Sequence, residues 1–202
     1  MALFPFNTNR VRQAQTDVPG VLTSLLSPVM YAPGSLVLDD VDWFVASADM
    51  KVGAYVLAHT TPGLGARNVT VTQTITNAAE DTNGTIVIVG TDLAGAVITE
   101  TLTPNGGATV AGAKCFATIT SITGVGWIIN GADEDTVTLG FGALIGLPDK
   151  LTDAAQVLCA SLNNVFETTR PTVAVSATAL ESNTVDLNSA LNGSPVKVYY
   201  LA

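Results

Sequence analysis

The chain has 202 residues, a formal net charge of −9, and only 12% charged side chains, with a mean hydropathy of +0.41. So few charges predict a surface built largely from Thr, Ser, Asn, Gly and Ala, part of which other subunits cover. Its eight basic residues are scattered, with only Arg10 and Arg12 close together, which argues against a nucleic-acid partner.

The first 62 residues differ from the rest of the chain. Prolines at positions 5, 19, 28, 33 and 62 exclude long helices and favour extended conformations at the residues before them. Two of these prolines interrupt the apolar run over residues 21–38, so no membrane-spanning helix is expected, and the chain start lacks the pattern of a secretory signal. We predict an N-terminal arm over residues 1–62 and a β-domain over residues 63–202, in a protein made and used after synthesis in a cytoplasm.

The arm is too apolar for a disordered tail, so it must lie against another surface. Two alternatives stay open: it packs on its own β-domain, or it reaches a neighbouring subunit. Its apolar side chains supply the candidate contacts with another subunit or a capsid: Leu22, Leu25, Leu26, Met30 and Trp43. We expect that deleting residues 1–33 leaves the β-domain folded but abolishes particle binding.

Two acidic runs and one histidine are candidate metal ligands. Asp39, Asp40 and Asp42 precede Trp43, and a second run covers residues 133–135. The second run lacks the alternating ligand spacing of an EF-hand, and both favour solvated loops over a divalent cation site. His59 ends a predicted strand at residues 54–58 and has no second His or Cys at metal-ligand spacing, so we predict a neutral imidazole that is packed or at the surface.

The two cysteines are predicted to be free thiols. Cys115 and Cys159 are far apart in the chain, and neither belongs to a Cys-x-x-Cys unit. No cofactor is predicted.

The β-domain begins with clear strand patterns. Apolar residues alternate with threonine from Val69 to Thr76, which predicts a half-buried strand. The β-branched run at residues 86–89 suits a strand covered on both faces. Residues 92–95 can turn the chain, and residues 97–103 form the predicted return strand.

Short strands continue to the end of the chain. We predict strands at residues 117–123, 126–129, 136–141, 172–176, 184–187 and 196–201. Residues 151–162 fit one face of a helix, but residues 156–162 fit a strand equally well. Short strands between Gly-rich and Asn-rich turns predict an all-β sandwich or jelly roll.

Three segments resemble a group of tailed-bacteriophage virion proteins. The likeness lies in Gly90-Thr-Asp-x-x-Gly-x-x-x-Thr-Glu-Thr-Leu102, in Val110-x-Gly-x-x-x-Phe116-x-x-Ile119-x-x-Ile122, and in the ending Thr184-Val-Asp-Leu, Asn192-Gly-Ser and Tyr199-Tyr-Leu. These proteins are capsid decoration, or cement, proteins. The resemblance implies a jelly-roll or β-sandwich body, assembly into homodimers or homotrimers, and binding to the major capsid protein on the outer surface of the virion. No catalysis is implied.

Other classes stay open. A Ser-His-acid hydrolase is disfavoured because His59 lacks a local signature such as Gly-x-Ser-x-Gly, whereas a glycosidase with two carboxylates needs no local motif. A carbohydrate-binding adhesive sandwich would need aromatic platforms, and aromatics make up only 6% of the chain. A head-to-tail connector or tail component is a further structural alternative.

Overall fold

The computed structural model describes residues 13–15, 22–24, 26–50, 53–75, 84–128 and 135–202, and for residues 13–15 and 22–24 it describes the backbone alone. The described chain consists of antiparallel strands and two short 3₁₀ turns, at Ala154–Gln156 and Leu180–Ser182. This confirms the predicted all-β class. None of the described residues belongs to a helix long and apolar enough to cross a membrane.

The strands are, in chain order, β1 (Gln13–Gln15), β2 (Leu22–Ser24), β3 (Pro28–Ser35), β4 (Asp40–Asp49), β5 (Arg67–Thr74), β6 (Thr85–Thr91), β7 (Val97–Leu102), β8 (Thr109–Phe116), β9 (Thr118–Val125), β10 (Thr136–Gly146), β11 (Val157–Leu162), β12 (Val165–Phe166), β13 (Thr172–Ala174), β14 (Thr184–Asp186) and β15 (Pro195–Leu201).

These strands form four sheets. The order β13-β14-β10-β5-β8, with β4 also paired to β10, makes a six-stranded sheet. A three-stranded sheet has the order β7-β6-β9, a four-stranded sheet has the order β12-β11-β15-β3, and β1 pairs with β2 in a separate two-stranded sheet. Since the described strands pair in the antiparallel direction, each sheet can bury one face and leave the other open.

Two hydrophobic cores lie between the sheets. The first joins the three-stranded sheet to one end of the six-stranded sheet, with Ile86, Ile122, Val71 and Phe141 fully buried. The second joins the four-stranded sheet to the other end, around Ile145, Val185, Val198 and Tyr200. Strand β10 contributes to both cores, so one continuous strand connects the two sandwiches.

The position of β3 in its sheet explains why this strand can contain Pro28 and Pro33. This strand is an edge of the four-stranded sheet, where a residue without an N–H group breaks no ladder on its free side. Pro33 lies within the register shift between the Tyr31–Val198 and Gly34–Val196 pairs, and such irregularities also accept proline.

Strands β3 and β4 of the predicted arm are built into the sheets of their own chain. β3 pairs with β15, and β4 pairs with β10. Side chains of both strands pack on the cores, including Phe44 on the first and Tyr31 on the second. Residues 28–49 therefore pack on strands of their own chain, and contact of the arm with a neighbouring subunit stays a prediction.

The structure confirms several of the predicted strands and corrects others. Strand β5 is buried at six of its eight residues, including Thr70, so the prediction of a half-buried strand with an open threonine face is wrong. Residues 54–58 form only an isolated bridge at Ala54, and residues 126–128 form a bend and a bridge, so neither predicted strand is present there. Strand β6 is buried on alternate residues only, so the prediction of cover on both faces is wrong. Its β-branched residues lie alternately on a buried face and on a partly exposed face. Residues 151–162 resolve into a 3₁₀ turn followed by strand β11.

Candidate interaction surface

The outer side of the four-stranded sheet brings together residues that are far apart in sequence. Met30 pairs with Tyr199, and Tyr199 pairs with Cys159. Directly paired residues lie on the same side of a sheet, so these three form a row across β3, β15 and β11. The adjacent residues Val198 and Ala160 belong to the second core, and the row therefore faces away from that core.

A second row lies beside the first. It consists of Lys197, Ser161 and Phe166, which pair across β15, β11 and β12. The centroid of the Phe166 ring lies 5.5 Å from that of the Tyr199 ring. Ser161 is buried even though it points outward, which indicates that larger neighbouring side chains cover this part of the sheet.

Large apolar side chains of this region are open to solvent. Met30 is 55% exposed, Phe166 58%, and Leu158, in the register shift between Val157 and Cys159, 52%. Leu26 is also exposed and lines a groove with Leu201. We call the following six residues the outer apolar face: Leu26, Met30, Leu158, Phe166, Tyr199 and Leu201.

The outer apolar face is almost free of charge. The four strands that form the sheet contain one charged residue, Lys197, and no carboxylate. The Lys197 ammonium donates a hydrogen bond to Asn164 Oδ1 at 2.8 Å. In a chain with 17 acidic residues, such a face combines exposed apolar area with low electrostatic repulsion, which favours contact with a protein surface.

The structure places the sequence-predicted interface residues in different settings. Leu26 and Met30 lie on the outer apolar face. Leu22 belongs to β2, where its backbone pairs with Gln15, and Leu25 lies outside the described residues. Their role at an interface stays a prediction.

Trp43 has its contacts within its own chain. Its indole stacks on His59 with a centroid distance of 4.0 Å and meets Phe141 edge-on at 5.8 Å. Nε1 donates to the carbonyl of Thr61 at 2.7 Å. These contacts make His59 a packing partner of Trp43 at the surface, and a role of Trp43 at an interface stays a prediction.

The residues that carry the phage resemblance stabilise the fold. Asp92 Oδ1 accepts hydrogen bonds from the backbone N–H groups of Ala94 and Ala96, both at 2.9 Å, and shapes the turn between β6 and β7. Gly95 in that turn has φ of +81°, which favours glycine. A Cβ at Gly90 would overlap the backbone of β9. This first segment therefore encodes a hairpin and its close approach to a neighbouring strand.

Glu100, in the same segment, connects two sheets. Its Oε1 accepts hydrogen bonds from the N–H groups of Ala113 at 2.7 Å and Lys114 at 3.2 Å, which links β7 to β8. Burial raises the pKa of the Glu100 carboxyl, and the two N–H donors oppose that rise. A Cβ at Gly112 would overlap this carboxylate. Gly112, in the second of the three segments, therefore leaves the space that Glu100 of the first segment occupies.

Sequence reasoning missed Arg67, a buried cation between the two cores. Its Nε and Nη2 donate to the carbonyl of Gly142, and Nη1 donates to that of Val37 at 3.1 Å. The guanidinium carbon lies 4.8 Å from the centroid of the Phe141 ring. Burial lowers the pKa of Arg67 to about 10. Gly142 lies in the register shift of β10 between Phe141 and Ile145, so Arg67 fixes the strand where it passes between cores.

The other candidate ligands do not converge. Among the described residues, no group of three or more His, Cys, Asp or Glu side chains is placed to hold a metal ion. Asp42 lies beside Asp40, which raises the pKa of the Asp42 carboxyl through a shared hydrogen bond and charge repulsion. Of the second acidic run, only Asp135 is described. Cys115 is buried and Cys159 half-buried, and both are free thiols, as predicted.

Comparisons with known proteins leave the family open. No family model matches the chain, and neither the curated proteins nor the solved structures contain a match to it.

Proposed function

We propose that this chain is a structural virion protein: a capsid decoration, or cement, protein that binds the outer surface of an assembled tailed-phage head and stabilises it. The proposal assigns no catalytic role and no cofactor. Its partners are the major capsid protein and further copies of the chain.

The observation that carries the proposal is the outer apolar face. A sandwich with so few charged residues that also leaves methionine, leucine and aromatic side chains open on one sheet is suited to a protein that works in an assembly. The resemblance of three segments to decoration proteins supplies the kind of assembly. In the structure, the first segment builds the hairpin of β6 and β7, and its Glu100 contacts the second segment beside Gly112, which suits a likeness between folds.

The mechanism is a differential affinity. A protein that binds the assembled, expanded lattice more tightly than its dissociated subunits shifts the equilibrium toward the lattice by the difference in binding free energy. At a free concentration about one hundred times the dissociation constant, one site stabilises the bound state by about 2.7 kcal/mol. Many copies over a shell would add such increments without any bond being made or broken.

Copy number tests the proposal. Quantitative mass spectrometry of purified particles should find copies comparable in number with the major shell protein. A handful of copies per particle would move the chain to a connector or tail, and absence from particles would overturn a virion role.

The structure shows that the arm should be tested with a shorter deletion than residues 1–33. Removal of residues 1–33 would take away most of β3, which pairs with β15 and packs Val29 and Tyr31 on the second core. A deletion of residues 1–25 spares this strand. We expect the shorter deletion, which removes β1 and β2, to keep the cooperative unfolding of the remaining sheets and to lose binding to particles that lack the protein; undiminished binding would contradict a role for the arm.

A further inference from the structure

We propose that the outer apolar face is the docking site for a second copy of this chain, packed face against face. The proposal deepens the proposed function and rests on it in one respect, that a decoration protein acts as an oligomer. It assigns the self-contact to the four-stranded sheet and leaves the rest of the surface for the shell.

The first argument is the composition of the surface. Interface centres are enriched in aromatic residues and methionine and depleted in charged residues. The outer apolar face has Met30, Phe166 and Tyr199 beside Leu158, and three of these four side chains are more than half exposed in the single chain. The Phe166 and Tyr199 rings already contact each other, so little side-chain freedom would be lost on docking.

The second argument is charge, and it selects the occupant. Each copy carries a formal charge of −9, so two copies repel each other wherever carboxylates meet. The strands of the four-stranded sheet contain no carboxylate, and their single charge, Lys197, is held by Asn164 at the side. An acidic protein can bring two copies of this sheet together without a carboxylate from its strands in the contact; Asp153, which lines the groove of Leu26 and Leu201, lies at the margin.

The third argument is that the face can complement itself. A two-fold contact uses the same patch on both subunits. This sheet presents apolar side chains on both sides of β15, the strand between β11 and β3. Met30 lies on β3 at one side, and Leu158 lies on β11 at the other. Two copies can therefore cover each other's exposed side chains without a second type of surface.

The thiol of Cys159 can report whether two copies are in contact through this face. Cys159 is a half-buried free thiol in the row with Met30 and Tyr199, whereas Cys115 is buried in the interior. In a face-to-face dimer, Cys159 would be shielded from a soluble thiol reagent. Cys115 would react slowly in either state and serves as the internal reference.

Sedimentation equilibrium and thiol labelling of the full chain test the proposal without particles. We expect the wild type to sediment with the mass of two 20.7 kDa chains, and Met30→Glu and Phe166→Glu each to sediment as one chain, because each substitution places two new carboxylates in the contact. Val56→Glu is the matched control, since Val56 is 88% exposed but lies in the segment between β4 and β5; this variant should remain a dimer. Cys159 should react about tenfold faster in Met30→Glu than in the wild type, because the reagent reaches only unpaired chains.

Each outcome has a defined meaning, provided that circular dichroism shows the variants folded. A wild type with the mass of one chain at about 100 μM, far above a micromolar dissociation constant, would overturn the proposal. So would a mass of three chains, or a dimer that persists in both glutamate variants. A dimer that both variants dissociate, in a chain absent from particles, would support this inference and overturn the proposed function.

Discussion

Replacement of Asn183 by alanine should weaken the second core far more than replacement of Asn188, whose amide is exposed. The Asn183 side chain is fully buried and makes five hydrogen bonds to backbone groups. Its Oδ1 accepts from the N–H groups of Leu151 and Ser176, both at 2.9 Å, and its Nδ2 donates to the carbonyls of Ser176, Ala179 and Leu180. One side chain thus ties the loop after β10 to the turn before β14.

The expected cost follows from the groups left without partners. Each buried N–H that loses its acceptor costs about 1–3 kcal/mol, and the small cavity adds to this. The bond from Leu151 is buried and that from Ser176 is partly buried, so water can relieve only the second. We expect Asn183→Ala to lower the free energy of unfolding by about 3–5 kcal/mol.

Asn188 provides the matched control. Its Nδ2 also donates to two backbone carbonyls, those of Thr169 and Arg170, but these bonds are exposed. Water can replace them, so Asn188→Ala should cost less than about 1 kcal/mol. With a urea m-value of about 2 kcal/mol/M, the two variants should differ in midpoint by about 1–2 M.

Urea denaturation followed by circular dichroism measures the whole chain, and tryptophan fluorescence measures the first core, because Trp43 and Trp127 both pack there. If the cores unfold together, both signals should shift equally in Asn183→Ala. If only the circular dichroism signal shifts, the second core unfolds separately. A loss within 1 kcal/mol of that in the Asn188 variant would refute the reasoning from buried hydrogen bonds.

Three other outcomes follow from individual residues. Gly90→Ala should lower the melting temperature far more than Gly95→Ala, because a Cβ at Gly90 overlaps the backbone of β9, whereas one at Gly95 has open space and pays only for its positive φ, about 1 kcal/mol; equal losses would contradict this. Trp43→Phe removes the donor to a backbone carbonyl and should cost about 1 kcal/mol in urea denaturation without changing the sedimenting mass; a change in mass would place Trp43 at an interface. Burial raises the pKa of the Cys115 thiol, so above about pH 8.5 the folded state holds a proton that the unfolded chain releases, and stability falls as pH rises. Cys115→Ala should reduce the loss of urea midpoint between pH 8 and 10; an unchanged loss would contradict this.

Local patterns predicted the strands of the first core. The alternation of Val69 and Val71 with threonines located β5, and the turn at Asp92 and Gly95 has residues that its geometry requires. The alternation did not show that β5 is buried on its threonine face as well, because that burial depends on strands and sheets distant in sequence. The prediction that residues 86–89 are covered on both faces was wrong, because a β-branched run fits a strand with one partly exposed face as well as a fully covered strand.

Strands β3 and β4 and the outer apolar face depend on partners distant in sequence. The prolines at 28 and 33 indicated only extended chain, although their confinement to edge strands and irregularities is consistent with the place of β3. Apolarity singled out Leu26 and Met30, but no pattern in the sequence placed Met30 beside Tyr199 and Cys159. That row exists only because the sheet aligns three strands in one register.

The pairing of β3 with β15 also governs what a ribosome-bound chain can do. Strand β3 ends at Ser35 and β15 begins at Pro195, so about 160 residues must be synthesised before β3 gains its partner, a delay on the order of 10–30 s at typical rates of synthesis. Until then no strand lies between β3 and β11, and the outer apolar face does not exist on the nascent chain. Two copies can meet through this face only after β15 of each has been synthesised and has left the ribosomal tunnel.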